Sequence, residues 1–282
     1  MVQLKNEILL ADSGSTKTDW RYISNNEIIS FKTIGLNPNH TDDNTIFETL
    51  KKIDIKDFKG KTYFFGSGCA RQESANKIKT QLLKRFSESN EIYVYSDLYG
   101  AALGLCGNNA GVIGILGTGA SACLYNGKEI CFQSPSLGYI LGDDGSGTSI
   151  GKEILRAFYF NKFSDELKNR FSNKYNININ DIINNVYNKP LPNSYIAQFA
   201  RFAAENISNN EIEDIVINCF KNYFKNQILI IPEYKDYNVY FTGSIAYAFA
   251  NQLNNVASEY NINIKKNIPG IIDELVSYFT EK

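Results

Sequence analysis

The chain has 282 residues, of which 43% are hydrophobic, and its 29 basic and 30 acidic residues leave a net charge of -1. This size and composition predict a globular protein of about two domains. The balanced charge argues against a nucleic acid or an anionic membrane as partner, and no apolar run approaches the ~20 residues that span a bilayer. We therefore expect a soluble, cytoplasmic protein that acts on a small molecule.

The cysteine and histidine content argues against metal and thiol chemistry. The five cysteines contain no CxxC pair, and His40 is the single histidine. A Cys/His zinc site and a Cys-His nucleophile pair are therefore not expected, and each cysteine is interpreted as a small buried hydrophobic residue.

The first predicted element is a β-hairpin with a small, polar tip. An apolar strand from Ile8 ends at Asp12, and a second strand leaves at Asp19. The tip contains Gly14, Ser15, Thr16 and Lys17. Gly14 lets the backbone approach an anion closely, the other three supply hydrogen-bond donors, and Asp12 can hold a cation beside a bound phosphate. Taken alone, the pattern leaves open a plain polar turn.

The rest of the first half alternates strands and helices in the order βββαβαβα. A turn at Asn25-Asn26 leads to a third strand at 27–33, and a helix follows with Thr41 or Asp42 as its N-cap. The pattern then predicts a strand at 62–65, a helix with its apolar face at Ala75, Ile78, Leu82 and Phe86, a strand at 91–95 and a small-residue helix at 98–104.

The opening pattern then recurs, which predicts an internal duplication. A strand at 112–116 leads into a second glycine-bearing tip, Gly117-Thr118-Gly119, and a further strand and turn follow, as after the first tip. Two like α/β domains are the economical explanation. We place their boundaries at 1–106 together with 267–282, and at 107–266.

The remaining elements belong mostly to the second domain. A glycine-rich loop at 134–147 opens a helix near Ile150, and 161–235 is predicted to be mostly helical, with an Asn-rich surface insertion at 173–192. A strand at 237–242 ends in a tight turn, Gly243-Ser244. A short strand at 262–264 precedes a final helix, which Pro269 is predicted to open and which we expect to return to the first domain.

These glycine-bearing turns predict ATP as the ligand. Two hairpins that face each other across a cleft can hold a polyphosphate, and the turn at Gly243-Ser244 can meet the nucleoside end. A Walker A loop is excluded because Lys17 follows too few residues after Gly14 and the chain continues as a strand. A Rossmann dinucleotide site is disfavoured because a turn interrupts the chain soon after Gly119, where the crossover helix should run.

Taken together, the motifs resemble the BadF/BadG/BcrA/BcrD-type N-acetylglucosamine kinases, within the actin, Hsp70 and hexokinase superfamily. The segments that carry the resemblance are Asp12-Ser13-Gly14-Ser15-Thr16-Lys17-Thr18-Asp19, Gly35-Leu36-Asn37-Pro38, Ser96-Asp97, Gly117-Thr118-Gly119, residues 137–146 and Thr242-Gly243-Ser244. The resemblance implies two ribonuclease-H-like, actin-like ATPase domains with a central interdomain cleft. It also implies phosphorylation of the 6-hydroxyl of N-acetylglucosamine or a related amino sugar by ATP and Mg²⁺, and it leaves a homodimer open.

The same resemblance assigns roles to individual residues. Asp97 matches the catalytic base, and the sugar-binding positions are matched by Asn37, Asp97, Gly138 and Asp143. Ser121 stands at a further sugar position, where many relatives carry Asn, so the identity of the sugar is less firmly implied. Asp144 stands where Glu is commoner.

The residues support several of these roles on independent grounds, with structural alternatives beside them. Asp97 ends a strand, where a carboxylate can take the proton of an attacking hydroxyl, or it can cap the following helix. Asp144 and, with less support, Asp143 can instead form a turn or a helix cap. Asn37 can be a turn residue before Pro38, and Lys17 can be a solvated surface lysine. Asp12 is expected to hold Mg²⁺, directly or through water.

Two other functions remain as alternatives. One is an ATP-driven activator of a reductase, which needs cysteines placed to hold an iron–sulfur cluster, and the sequence has no close cysteine pair. The other is a non-catalytic protein that senses ATP or a sugar.

Overall fold

The computed structural model describes residues 7–25, 27–89 and 91–281. Asn26, half of the predicted second turn, lies outside these ranges. The chain divides into two compact units: unit 1 comprises the residues up to 108 and from 270 onward, and unit 2 comprises 109–269. Among the described helices, none has both the length and the apolar character needed to cross a bilayer.

The elements of the first half, in chain order, are β1 (Ile8–Ser13), β2 (Lys17–Ser24), β3 (Glu27–Ile34), α1 (Asp43–Leu50), β4 (Lys61–Gly66), α2 (Gln72–Arg85), β5 (Glu91–Ser96) and α3 (Asp97–Cys106). Those of the second half are β6 (Ala110–Leu116), β7 (Ala120–Asn126), β8 (Ile130–Gln133), α4 (Gly138–Leu141), α5 (Gly147–Tyr159), α6 (Asp165–Lys174), α7 (Ile179–Tyr187), α8 (Pro192–Ala197), α9 (Ala200–Glu205), α10 (Asn210–Tyr223), β9 (Val239–Thr242), α11 (Ser244–Ala248), α12 (Ala250–Glu259), β10 (Ile264–Ile268) and α13 (Ile272–Thr280).

Unit 1 is built on a five-stranded sheet in the order β3-β2-β1-β4-β5. The first three strands pair antiparallel, whereas β4 and β5 run parallel to β1. Trp20 and Phe64 lie fully buried in its core. The predicted apolar face of α2 is buried, and Asp42, one of the two predicted N-caps of α1, accepts the Thr45 N–H at 2.9 Å.

Unit 2 repeats the same plan. Its sheet has the order β10-β9-β6-β7-β8, with β6, β7 and β8 antiparallel and with β9 and β10 parallel to β6. The strands therefore correspond one to one, with β6 in the place of β1, β9 in that of β4 and β10 in that of β5. This correspondence confirms the fold class expected from the duplicated hairpin, two α/β domains of like topology.

The segment from 161 to 235 is mostly helical, as predicted, and packs an aromatic core. Phe171, Phe199 and Phe202 are buried there with their rings in contact. The Asn-rich insertion contains α7, where Asn178 and Asp181 form a capping box, each side chain bonded to the backbone N–H of the other.

Two predictions near the C-terminus are wrong in position. The last strand is β10, at Ile264–Ile268 rather than 262–264, because its parallel pairing with β9 places polar residues in the strand. The final helix begins at Ile272 and not at Pro269, since the strand continues to Ile268.

Candidate functional site

The parallel strands of unit 1 bring three chain segments to one edge of the sheet. Ser13 at the end of β1 pairs with Gly66 at the end of β4, and Gly66 pairs with Ser96 at the end of β5. Because parallel strands end at the same edge, the residues that follow them lie side by side. Asp12, Ser67 and Asp97 are therefore neighbours in space, although the chain separates them widely.

Asp12 is a partly exposed carboxylate with a strongly altered acidity. Burial, and after it the charges of Asp97 and Asp19, raise the pKa of Asp12 to about 7. A hydrogen bond from the backbone N–H of Ile271, at the start of α13, opposes this shift, and Lys17 opposes it weakly. The acid side chains thus create a local excess of negative charge that a bound cation would relieve.

Asp97 is the first residue of α3 and sits at the end of β5. The capping role considered for it belongs to Ser96, whose hydroxyl accepts the Tyr99 N–H at 3.2 Å. The Asp97 carboxylate accepts the Leu98 N–H at 2.8 Å and a hydrogen bond from the Ser67 side chain. Burial raises the pKa of Asp97, and these hydrogen bonds oppose the rise.

The loop that carries Asn37 is packed against the first hairpin tip. The Gly35 N–H donates to Thr16 O at 3.0 Å, and a Cβ on Gly35 would lie 2.3 Å from Gly14 O, so a larger residue would push the loop away. The Asn37 side chain is buried, its Oδ1 accepting the Asn39 N–H at 3.0 Å.

Ser13 and Ser67, which the sequence did not single out, connect the Asn37 loop to the ends of the strands. Ser13, 1% exposed, accepts the Leu36 N–H on its hydroxyl at 3.0 Å and the Ser67 N–H on its carbonyl at 2.8 Å. Ser67 in turn contacts Asn37, with 3.5 Å between Asn37 Nδ2 and Ser67 Oγ. The duplication contained a signal for Ser67, because Gly66-Ser67 stands at the end of β4 as Gly243-Ser244 stands at the end of β9.

The hairpin tip is compact, and its lysine has a partner. Gly14 N–H donates to Lys17 O at 3.0 Å, which closes the turn around Ser15 and Thr16. Lys17 is already part of β2, and its ammonium forms an ion pair with Asp19 at 2.6 Å while 65% of the side chain stays exposed. The Lys17 ammonium is therefore largely exposed and has an acidic neighbour.

The donor set near Asp12 fits Mg²⁺ that is shared with a nucleotide. In the described ranges, no group of three or more His, Cys, Asp or Glu side chains has the arrangement of a metal site. Mg²⁺ usually keeps several water ligands and needs only one or two carboxylates in addition to substrate phosphates. The carboxylate of Asp12, whose ionisation is disfavoured by burial and then by neighbouring acids, meets that requirement.

In unit 2 the second hairpin tip is fixed by the helix that follows the glycine-rich loop. Gly147 N–H donates to Gly117 O at 2.8 Å, and the Thr148 hydroxyl donates to Thr118 O at 2.6 Å. These bonds attach the tip to the first turn of α5. The hydroxyl of Ser146 caps that helix by accepting the Ser149 N–H at 3.1 Å.

Asp143 lies directly against this second tip. Its carboxylate accepts the Ala120 N–H at 3.2 Å, and a Cβ on Gly119 would lie 3.1 Å from it. Burial raises the pKa of Asp143, while the Ala120 N–H and the charge of Lys152 lower it. Its φ of 56° lies in the left-handed region, which is costly for a residue with a side chain and recurs at functional sites.

The other predicted positions of unit 2 differ in their surroundings. Gly138 is exposed with φ 71°, the Ser121 carbonyl accepts the Tyr223 hydroxyl at 3.0 Å, and Asp144 accepts from Asn226 Nδ2 at 2.8 Å. Gly243, with φ 114°, lies so close to the second hairpin that a Cβ would come within 2.3 Å of Leu116 O. Ser244, the next residue, is the first of α11.

The cysteines are free, and Cys131 is the exposed one. Burial, with a smaller contribution from Asp97, raises the pKa of the Cys69 thiol to about 12, so Cys69 stays protonated beside the site.

Comparison with known proteins identifies relatives of the same fold. A structure from Porphyromonas gingivalis, described as a candidate N-acetylglucosamine kinase, is 31% identical, covers 98% of this chain and 99% of its own, and superposes with a TM-score of 0.90. A second structure, from Chromobacterium violaceum and described in the same way, is 14% identical, covers 97% of this chain and 98% of its own, and has a TM-score of 0.70. At that identity it supports the fold alone.

A curated relative, the N-acetyl-D-glucosamine kinase of Dictyostelium discoideum, is 31% identical over 111 residues, which are 39% of this chain and 35% of the relative. The match thus spans about a third of that relative's length. The model of the BadF/BadG/BcrA/BcrD ATPase family matches residues 11–273. The fold, the duplicated hairpins and this match across nearly the whole chain lead to one conclusion: the protein belongs to the BadF/BadG/BcrA/BcrD ATPase family.

Proposed function

We propose that the protein is a kinase that transfers the γ-phosphoryl group of ATP to the 6-hydroxyl of N-acetylglucosamine or a closely related amino sugar. The observation that carries the proposal is the meeting of Asp12 and Asp97 at one sheet edge, with Asn37 connected to Asp97 through Ser67. One acid can act on metal and phosphate while the other acts on an alcohol, which is the division of labour that phosphoryl transfer needs.

Asp97 is the proposed general base. A base works best when its pKa lies near the working pH, and burial moves the pKa of Asp97 upward from its ordinary value. The carboxylate would accept the proton of the 6-hydroxyl as that oxygen attacks phosphorus. Asn37, held beside Ser67, would bind another part of the sugar and so orient the alcohol.

Asp12 would hold Mg²⁺, directly or through water, and bound Mg²⁺ would neutralise charge on the phosphate oxygens. The tip formed by Gly14, Ser15 and Thr16 presents small groups to a phosphate. Lys17 would assist only after its ammonium leaves Asp19, or through its charge at a distance.

In unit 2, further residues are assigned to ATP and to the sugar. The tip Gly117-Thr118-Gly119 would bind phosphate, and Gly243 and Ser244 would meet the nucleoside end, as expected from their position beside that tip. Gly138, Ser121 and Asp143 would contact the sugar. Asp143 is the best supported of these three, because its carboxylate adjoins the tip in a strained backbone conformation.

A panel of sugars tests the proposal. Purified protein with MgATP is incubated with N-acetylglucosamine, N-acetylmannosamine, glucosamine and glucose, and ADP release is followed by a coupled assay. We expect release that depends on an amino sugar, and a product whose phosphorus couples to the C6 protons in NMR spectra. ADP release that no sugar stimulates, or a product phosphorylated at C1, would contradict the proposal.

The same preparation separates the alternatives. An activator of a reductase would carry iron after anaerobic purification, which an iron assay measures directly. A sensor would bind ATP or sugar in calorimetry without releasing ADP. Sedimentation over a range of concentrations would decide whether the protein forms a homodimer.

A further inference from the structure

Ser67 occupies the position where the Asn37 loop and Asp97 meet. The hydroxyl of Ser67 lies 3.5 Å from Asn37 Nδ2. Strand partners Gly66 and Ser96 directly precede Ser67 and Asp97, and hydrogen bonding from the Ser67 side chain lowers the pKa of Asp97. Its backbone N–H donates to Ser13 O at 2.8 Å, which attaches it to the end of β1. A single residue thus contacts the loop, the strand end and the acid.

The turn that carries Ser67 is built to hold it in one place. Cys69 N–H donates to Gly66 O at 3.1 Å, which closes the turn immediately after β4. Gly68 has φ 82°, and a Cβ there would lie 2.4 Å from Asn37 Oδ1. Only glycine allows the turn to approach Asn37 so closely.

The directions of the hydrogen bonds follow from the donors available. Asn37 Oδ1 accepts the Asn39 N–H at 3.0 Å, so the amide nitrogen Nδ2 is the group directed at Ser67. Nδ2 can only donate, and the Ser67 oxygen therefore accepts from it. The hydroxyl hydrogen of Ser67 remains for the Asp97 carboxylate, which can only accept when ionised. The result is a chain of donors that runs from Asn37 through Ser67 to Asp97.

We propose that Ser67 is a positioning residue that holds the Asp97 carboxylate in the orientation needed to take the proton of the sugar hydroxyl. Through the same hydroxyl it couples the placement of the Asn37 loop to that of the base. This inference rests on the proposed function, because it assumes that Asp97 is the base of that reaction. Ser67 itself needs no contact with ATP or sugar. The Ser67–Asp97 interaction should therefore also contribute to the stability of the ligand-free protein.

The kinetic test compares Ser67→Ala, Ser67→Thr and the control Ser74→Ala. Ser74 donates to Asn39 Oδ1 at 3.1 Å, so the control removes a nearby hydroxyl that does not reach Asp97. We expect Ser67→Ala to lower kcat about 10-fold, the scale of one hydrogen bond to a charged group, with a smaller change in KM for the sugar. Ser67→Thr, which keeps the hydroxyl, should recover most of kcat, and Ser74→Ala should keep it.

A double-mutant cycle tests whether Ser67 acts through Asp97. If it does, Ser67→Ala added to Asp97→Asn should lower the residual rate far less than it lowers the wild-type rate. The same cycle applied to urea midpoints of ligand-free protein should be non-additive as well, and this readout requires no kinase activity. The control Ser74→Ala should be additive with Asp97→Asn in both measurements.

The outcomes distinguish a failure of the proposed kinase function from a failure of the positioning role of Ser67. A wild-type protein that no sugar stimulates would overturn the proposed function, and with it the role of Ser67 in that reaction. An active wild type in which Ser67→Ala keeps its kcat would overturn the inference alone. Additive effects of Ser67→Ala and Asp97→Asn would do the same, as would a Ser67→Thr variant no better than Ser67→Ala.

Discussion

Burial raises the pKa of Asp12 to about 7, and the charge of Asp97, which follows a strand two places away from β1 in the same sheet, adds to the rise. Two acids held this close are costly for the ligand-free protein, and they make its stability depend on pH. Substituting either acid therefore has opposite expected effects on stability and on turnover.

Asp12→Asn should stabilise the ligand-free protein at pH 8 and leave it nearly unchanged at pH 4. The unfolded carboxyl ionises near its ordinary value of 3.8, whereas the folded one ionises near 7, so the wild type loses stability as pH rises between these values. After allowance for solvent contact, the gain at pH 8 is about 2 kcal/mol. Thermal melts in EDTA at both pH values measure it, and an equal shift at pH 4 and pH 8 would contradict the account.

Asp97→Ala should preserve folding and ATP binding and lower kcat by about 10²-fold or more, the scale of general-base catalysis. Calorimetric titration with MgATP and the coupled assay measure the two effects. Asp97→Asn, which keeps the shape and an acceptor for the Leu98 N–H, serves as the matched variant. Full activity in either variant would show that Asp97 is not the general base.

Gly243→Ala and Gly117→Ala form a pair that separates close packing from phosphate contact. At Gly243 the φ of 114° and the 2.3 Å approach to Leu116 O make a Cβ untenable, so the melting temperature should fall by several degrees. At Gly117 no atom lies within 4 Å of the added Cβ, and stability should change little while KM for ATP rises. Calorimetric melts and steady-state kinetics test both, and an unstable Gly117→Ala would contradict this contrast.

Asp143→Ala and Asp143→Asn distinguish two roles of one side chain. Asn keeps an acceptor for the Ala120 N–H and tolerates a positive φ, whereas Ala provides neither an acceptor nor that tolerance. If the carboxylate itself contacts the sugar, both variants should raise KM for the sugar about 10-fold or more. Asp144→Ala, which releases Asn226 and removes a small charge effect on Asp143, is the control and should keep KM. A wild-type KM for the sugar in Asp143→Asn would show that Asp143 only stabilises the hairpin tip and does not bind the sugar through its carboxylate.

Much of the architecture could be predicted from the sequence because it depends on local patterns. Strand alternation, the apolar face of α2 and the repeated hairpin each lie within one continuous stretch, and the duplication then predicted the second sheet from the first. The start of α13 could not be predicted from the sequence. It depends on how far β10 extends, and β10 continues to Ile268 because it pairs with β9, a contact that the local sequence does not reveal.

The site residues divide in the same way, into those that a local motif identifies and those that only contacts between distant segments identify. Asp12, Asn37 and Asp97 stand in distinctive motifs, whereas Ser13 and Ser67 act through contacts with residues far away in the chain. Strict use of the repeat would have identified Ser67, since Gly66-Ser67 is the counterpart of Gly243-Ser244. The partner of Lys17 was not anticipated, although Lys17 and Asp19 lie two residues apart in β2 and therefore share one face of that strand.

The backbone N–H of Ile271 that reaches Asp12 has a consequence for how the protein is made. Synthesis runs from the N-terminus, so β1 leaves the ribosome about 260 residues before the start of α13. All of unit 2 is synthesised in between. The acid of the first strand therefore gains the hydrogen bond that offsets part of its raised pKa only near the end of translation.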